Sequence, residues 1–281
     1  MRRSGIWRLL VVTLLVALVA FGCDSDSDSS DSSTTTAGDS GGSDTMDLDL
    51  VAGGKLTVCT DSPYEPFEFE ENGEFTGFDM ELLRAIATNL DLELAPTVQP
   101  FDGIWLAPAA GTCDLVGSAM TITPEREEEA LFSDPYFDAD QSLLIRTDDE
   151  GEISSLDDLD GKTIGVQTGT TGADYAEENA PDGAELREYD EPAAMFLAID
   201  SGEIDAILQD FPVNLDRANQ DDSVTVTETF PTGEQYGFAA SKDNQALIDA
   251  VNEQLEALRG DGTYDEIFQE WFPGGEPGEA G

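Results

Sequence analysis

At 281 residues the chain is long enough for one large or two modest domains, and a hydrophobic content of 40% supplies a core. Sixty-one acidic residues against 12 basic ones give a formal charge of −49, a surface that repels nucleic acid and anionic lipid headgroups and sets polyanion binding aside. The complete absence of histidine removes the usual general base, the usual zinc ligand and every Ser-His or Cys-His nucleophilic pair, so hydrolase and zinc-enzyme chemistry lose their ordinary residues.

The chain opens with Arg2, Arg3 and Arg8 ahead of an apolar run from Leu9 to Phe21, then Gly22 and Cys23. A basic stretch, an apolar stretch of about 13 residues and a small residue before the cut describe a secretory leader over residues 1–22, too short to span a bilayer comfortably. The cysteine directly after the small residue points to lipidation of Cys23, hence to a membrane tether. Arg2-Arg3 also admits a twin-arginine leader, but Ser4-Gly5-Ile6 lacks the rest of that pattern and ordinary secretion is the expectation. From Asp24 to about Leu50 the sequence is Asp, Ser, Thr and Gly with scarcely an apolar residue, which cannot bury enough surface to offset the entropy of ordering. Residues 23–50 therefore read as a leash, with a mean reach on the order of 30 Å for about 27 Gly/Ser-like residues. The Asp24–Asp28 run could attract calcium, yet it lacks the ordered loop glycine and terminal bidentate glutamate of a calcium loop, and a solvated spacer is the expectation.

Taking away the three leader arginines and the eight aspartates between Asp24 and Asp49 still leaves −44 on residues 51–281. The acidity belongs to the folded body, where self-repulsion would be screened by salt, a composition suited to a saline habitat. With Cys23 assigned to lipid, Cys59 and Cys113 remain as a pair for a disulfide in an oxidising compartment.

Beyond residue 54, β-rich runs alternate with amphipathic stretches. Strands are expected at Lys55–Thr60 and Asp114–Met120, with helices at Phe78–Leu90, where Phe78, Leu82 and Ile86 form one stripe, and at Pro124–Phe132, capped by Thr123. The alternation resumes with strands at Thr163–Gln167, Glu185–Tyr189, Asp205–Gln209 and Val224–Thr229, and helices at Thr171–Asn179 and Pro192–Ser201. Two last helices, Asn244–Arg259 and Thr263–Trp271, have no strand partner nearby in sequence, which suggests that they pack back on the first block. The pattern implies two parallel-rich sheets, and ligands of open α/β sheets gather at the carboxyl ends of strands. Asp61, Ala119, Thr121, Gln167 and Asp210 all stand at or just beyond such ends.

Several ordered motifs carry a family resemblance. Leu56-Thr57-Val58-Cys59-Thr60-Asp61-Ser62-Pro63-Tyr64-Glu65-Pro66-Phe67-Glu68-Phe69, Gly77-Phe78-Asp79, Phe101-Asp102-Gly103-Ile104, Met120-Thr121-Ile122-Thr123-Pro124-Glu125-Arg126, Phe132-Ser133-Asp134-Pro135-Tyr136, Gly165-Val166-Gln167-Thr168-Gly169-Thr170-Thr171-Gly172 and Gly262-Thr263-Tyr264-Asp265 follow one another across residues 55–272. The series resembles the polar amino-acid-binding proteins of ABC importers, the family 3 extracellular solute-binding proteins. That resemblance implies an α/β, two-lobed type II periplasmic-binding-protein fold with two hinge strands and a discontinuous first lobe. The first lobe would span 51–140 plus 236–273, the second 141–235, with crossings near Ala139–Ser142 and Gly233–Gly237 and a flexible tail over 274–281.

A zwitterion needs a cation and aligned N–H groups for its carboxylate and an anion with acceptors for its ammonium, buried together. By resemblance, Arg126 is the carboxylate clamp and Thr171 faces the carboxylate with its N–H and hydroxyl from the opposite lobe. An arginine near a helix N-terminus gains nothing from the dipole, which favours function over a surface role. Gly169-Thr170-Thr171-Gly172 lies between strand and helix, where free N–H groups collect anions, but no Gly-Lys-Ser/Thr follows and a phosphate loop is not indicated. Asp210 matches the ammonium-binding acid, with the Thr121 hydroxyl and Ala119 carbonyl as partners, and Tyr64 and Phe101 match the aromatic pair that sandwiches the side-chain stem. Asp61 would face the distal side chain, leaning toward glutamine or a basic amino acid, with Gln167 and Gln209 as further specificity candidates. The implied function is capture of a free α-amino acid by hinge closure and delivery to the transmembrane subunits of an ABC permease. It would be performed by a monomer without cofactor or metal, tethered at the outer face of the cytoplasmic membrane or in the periplasm. Two alternatives remain at this point: a dehydratase-like enzyme using Asp61 or Asp210 as proton donor, and a sensor acting through a partner.

Overall fold

A computed structural model describes residues 48–275, so the expected leader, Cys23, the spacer up to residue 47 and the tail from residue 276 lie outside the described residues. The first lobe begins with β1 (Lys55–Thr60), the hairpin β2 (Phe69–Glu71) and β3 (Glu74–Thr76), α1 (Phe78–Asn89), β4 (Glu93–Val98), β5 (Leu115–Val116), α2 (Pro124–Glu127) and β6 (Ala130–Phe132). A long strand, β7 (Phe137–Arg146), leads to β8 (Thr163–Gln167), α3 (Thr171–Asn179), β9 (Glu185–Tyr189), α4 (Pro192–Ser201), β10 (Ala206–Asp210) and α5 (Phe211–Gln220). The second long strand, β11 (Val224–Tyr236), returns to β12 (Ala239–Ser241), α6 (Gln245–Asp261) and α7 (Thr263–Trp271).

The first sheet runs β4-β1-β5-β12-β6 and the second β11-β7-β10-β8-β9. Both are mixed. β1 lies parallel to β4 and β5, while β12 is antiparallel to β5 and β6; β8 lies parallel to β9 and β10, while β7 is antiparallel to β10 and β11. Strands covered on both faces need apolar residues at nearly every position, and Val58, Cys59, Leu115, Val116, Ile207 and Leu208 are all fully buried.

The two hinge strands share their side chains between the cores. Phe137 and Ala139 of β7 pack in the first-lobe core, whereas Leu143 and Ile145 pack in the second. On β11, Phe230 belongs to the second core and Tyr236 to the first, with a register shift between Phe230 and Glu234 where the chain crosses. The closing helices complete the first lobe, since Leu247, Val251 and Phe268 enter the same core as Leu82 and Ile86 of α1. Their lack of a neighbouring strand in sequence reflects this return.

Local signals set most element ends. Gly77 starts α1 at φ 112°, where a Cβ would fall 2.3 Å from the Phe67 carbonyl oxygen, so only glycine fits. The Thr170 hydroxyl accepts from the Ala173 N–H to cap α3, and the Thr123 hydroxyl accepts from the Arg126 N–H to cap α2, with Pro124 at its first turn. Cys59 and Cys113 are disulfide-bonded with Cα atoms 5.7 Å apart, fastening β1 to the turn before β5.

Four expectations are corrected. The strand expected over Asp114–Met120 spans only Leu115–Val116, because the chain then turns at Ala119, which adopts φ 42° while its N–H donates to Asp79. The helix expected over Pro124–Phe132 ends at Glu127; Ala130–Phe132 instead pairs with β12, a partner more than 100 residues away that overrides local propensity. The strand expected over Val224–Thr229 continues to Tyr236 as a hinge strand, and the strand before Asp210 begins at Ala206 and includes Asp210.

Candidate functional site

The strand ends of both lobes face one another across a cavity. Nine of the ten residues singled out from sequence line it: Asp61, Tyr64, Phe101, Ala119, Thr121 and Arg126 from the first lobe and Gln167, Thr171 and Asp210 from the second. Gln209 does not. Successive side chains of a strand point to opposite faces, so beside an inward Asp210 the Gln209 amide turns to the far side of the sheet and donates to Asn214 Oδ1 at 2.8 Å. Glu68, Ser118 and Thr170 also line the cavity, without having been assigned a role from sequence.

Arg126 sits on the short helix α2, 5% exposed, with its guanidinium over the rings of Phe101 and Trp105 at 5.4 and 5.1 Å. Stacking and burial fix the direction of its donors. Nη1 donates to the Thr121 carbonyl at 2.7 Å and Nη2 crosses to the Gly169 carbonyl of the second lobe at 3.0 Å. Burial draws its proton affinity down, while Glu234 and then Asp210 oppose that change.

Asp210, at the end of β10, receives three donors on a buried carboxylate. Tyr64 Oη from the first lobe stands 2.8 Å from Oδ2, Tyr236 Oη from the hinge 2.5 Å from the same atom, and Gln141 Nε2 2.6 Å from Oδ1. Burial and the neighbouring Glu234 nevertheless push its pKa up to about 6. The register explains Gln141, which pairs directly with Asp210 across β7 and β10.

Also lining the cavity, Asp61 Oδ2 accepts from Gln167 Nε2 across the cleft at 2.6 Å. Burial lifts Asp61 to about 6, with the Gln167 hydrogen bond opposing and Glu191 adding to the rise. Behind it, Ser118 Oγ accepts from the Asp61 N–H at 2.9 Å and donates to Glu68 at 2.8 Å. Buried Asp79 holds the Ala119 turn from beneath: one oxygen, Oδ2, accepts from the Ala119 N–H at 2.9 Å and from Tyr136 Oη at 2.6 Å.

Glu234, Tyr236 and Gln141 escaped the sequence reading because all three lie on hinge strands between recognisable motifs. Glu234 Oε2 accepts from both Thr121 Oγ1 and Thr171 Oγ1 at 2.6 Å, and its Oε1 accepts from Gln141 Nε2 at 3.0 Å. The arrangement thus offers one buried cation, several acids and two flanking aromatics to a single small solute.

Residues 56–274 match the family model for bacterial extracellular solute-binding proteins, family 3. The L-cystine-binding protein TcyJ of Escherichia coli K12 is 32% identical over 221 residues, covering 78% of this chain and 83% of the relative. The glutamine-binding protein GlnH of an ABC transporter in Bacillus subtilis is 30% identical over 268 residues, covering 94% of each chain. Among solved structures, an ancestral arginine-binding protein bound to arginine superposes with a TM-score of 0.74 at 38% identity, covering 78% of this chain and 98% of that one.

Proposed function

We propose, for a chain that belongs to the bacterial extracellular solute-binding proteins of family 3, that it captures a free α-amino acid with a basic side chain between its lobes and presents it to the transmembrane subunits of a permease. The broader activity is that of an amino-acid-binding protein of an ABC transporter, outside the cytoplasm, and not that of an enzyme. The observation that carries the finer reading is a cavity faced by buried Arg126 from one lobe and buried Asp210 from the other. A zwitterion offers an opposite charge to both at once, whereas a simple anion or cation leaves one of them without a counter-charge from the ligand.

In this reading Arg126 and the first N–H groups of α3 hold the carboxylate, Asp210, Thr121 and the Ala119 carbonyl hold the ammonium, and Tyr64 and Phe101 flank the stem. Asp61 and Gln167 meet the far end. A carboxylate there, with Glu191 as a second negative neighbour, supports arginine or lysine. Glutamine is the second reading, favoured by the amide of Gln167 beside Asp61 and by the named ligand of the Bacillus relative. Contacts from both lobes provide the differential affinity that closes the cleft, and Cys23 after Gly22 is the proposed lipid attachment.

Titration calorimetry of the purified protein against L-arginine, L-lysine, L-glutamine and L-cystine tests the reading. One-to-one heat without turnover, tightest for arginine or lysine, is expected. Absence of heat from all four, or slow consumption of the ligand, overturns it.

A further inference from the structure

Glu234 reaches the cleft because of how β11 crosses between lobes. Pairing with β7 slips between Phe230 and Glu234, with Gly233 at φ 66° in the gap, and resumes at Glu234 opposite Ala139. Two residues on, Tyr236 bridges to Thr121, which brings the Glu234 carboxylate alongside the Thr121 hydroxyl. The same Oε2 receives the Thr171 hydroxyl from the second lobe.

A hydroxyl has one proton and two lone pairs, and an ionised carboxylate only accepts. While Thr121 and Thr171 each donate to Glu234, neither can donate to anything in the cavity; both oxygens offer it lone pairs alone. We infer that Glu234 is a positioning residue for the ligand's ammonium: by accepting the hydrogen bonds of both threonine hydroxyls it leaves Thr121 and Thr171 as acceptors on the cavity side. The inference rests on the amino-acid reading above and revises one role that the family resemblance implied. Thr171 then serves the carboxylate through its backbone N–H, and its hydroxyl belongs with Asp210 on the ammonium side. Gln141 completes the set, since its one amide nitrogen serves both Asp210 and Glu234 and holds the two acids in register.

The distinguishing readout is selectivity between an α-amino acid and the 2-hydroxy acid with the same side chain, which keeps the carboxylate but replaces the ammonium with a hydroxyl. Both are titrated calorimetrically into wild type, Glu234→Gln and Glu234→Ala, using whichever of L-arginine, L-lysine, L-glutamine and L-cystine binds wild type most tightly. In Glu234→Gln the new amide either turns its N–H₂ toward the threonines, whose hydroxyls then donate into the cavity, or turns it toward Gln141 and displaces the donor that holds Asp210 in register, so in both cases the ammonium's site is disturbed. Hydrogen bonds to charged groups are worth enough that the Kd of the amino acid rises about tenfold or more, while that of the hydroxy acid changes less than about threefold. Glu234→Ala, which frees both hydroxyls to donate, narrows the selectivity further; if it does not melt cooperatively, the isosteric glutamine variant decides. Equal losses for both ligands, as a purely structural hinge role would produce, or no loss for either, overturn the inference. Failure of wild type to bind any of the four amino acids instead sinks the amino-acid reading beneath it, and this inference with it.

Discussion

Tyr64 and Asp210, 146 positions apart in sequence, meet across the cleft through a hydrogen bond of 2.8 Å from the phenol to the carboxylate. The contact ties Tyr64 of the first lobe to Asp210 of the second, with the carboxylate as the acceptor.

Because burial and Glu234 lift Asp210 to about 6 from an ordinary 3.8, the folded protein holds a proton over a range where the unfolded chain has released it. The stability contributed by that proton is fully present below about pH 4 and is lost as the pH rises through 6. Ligand binding has the opposite demand, since an ammonium needs the ionised carboxylate. Affinity for an amino acid is therefore expected to fall about tenfold between pH 7 and pH 5, with protons released on binding at the lower pH. Calorimetry at both pH values in buffers of different ionisation heat checks this, and a flat profile would contradict it.

Replacing Arg126 separates charge from geometry. Arg126→Lys keeps the cation but loses the planar fork that is stacked on Phe101 and Trp105, and should weaken amino-acid binding about tenfold or more. Arg126→Ala should weaken it by at least about a hundredfold, leaving a buried carboxylate unpaired, while the protein still melts cooperatively. Fluorescence or calorimetric titration reads the affinity, and retained binding in Arg126→Ala would displace the carboxylate site.

Asp79 offers a test of the support beneath the cleft. Burial raises its pKa to about 7, so its ionisation costs the folded state stability as the pH rises from about 4 through 7, on the order of 2 kcal/mol between pH 5 and 7. Both of its donors land on one oxygen, which an amide can reproduce. Asp79→Asn should lose less stability than wild type between pH 5 and pH 8 in urea denaturation; parallel pH profiles would show that another acid governs the slope.

The surface charge makes its own prediction. With −44 on residues 51–281, raising sodium chloride from 0.1 to 1 M shortens the Debye length from about 10 to 3 Å and screens the repulsion. The melting temperature should rise across that range. A fall would mean that attractive pairs such as Arg217 with Asp200 and Asp221 outweigh the excess of acid.

Local chemistry made much of the fold legible. β1, β8, β9, α3, α4 and α7 fall where alternation, N-caps and prolines indicate, with ends matching to the residue. β6 and the long reach of β11 did not, because their pairing partners lie across the chain and nothing in a three-residue Ala-Leu-Phe run specifies a strand. The site divides along the same line. Arg126 and Thr171 sit in motifs with their own turn chemistry, whereas Glu234 is one acid among 61 and acquires its place only when β7 and β11 come together. Gln209 illustrates the limit of reading position without facing: adjacent to Asp210, it points the other way.

The strand order of the first sheet has a consequence for how the protein is made. β6 is joined to the rest of that sheet through β12, and the helices that cover α1 come later still. A ribosome or export channel delivers the chain from its amino end, so the second lobe has all its strands while the first still lacks the one that bridges its middle. The lobe begun first is therefore completed last as the chain emerges.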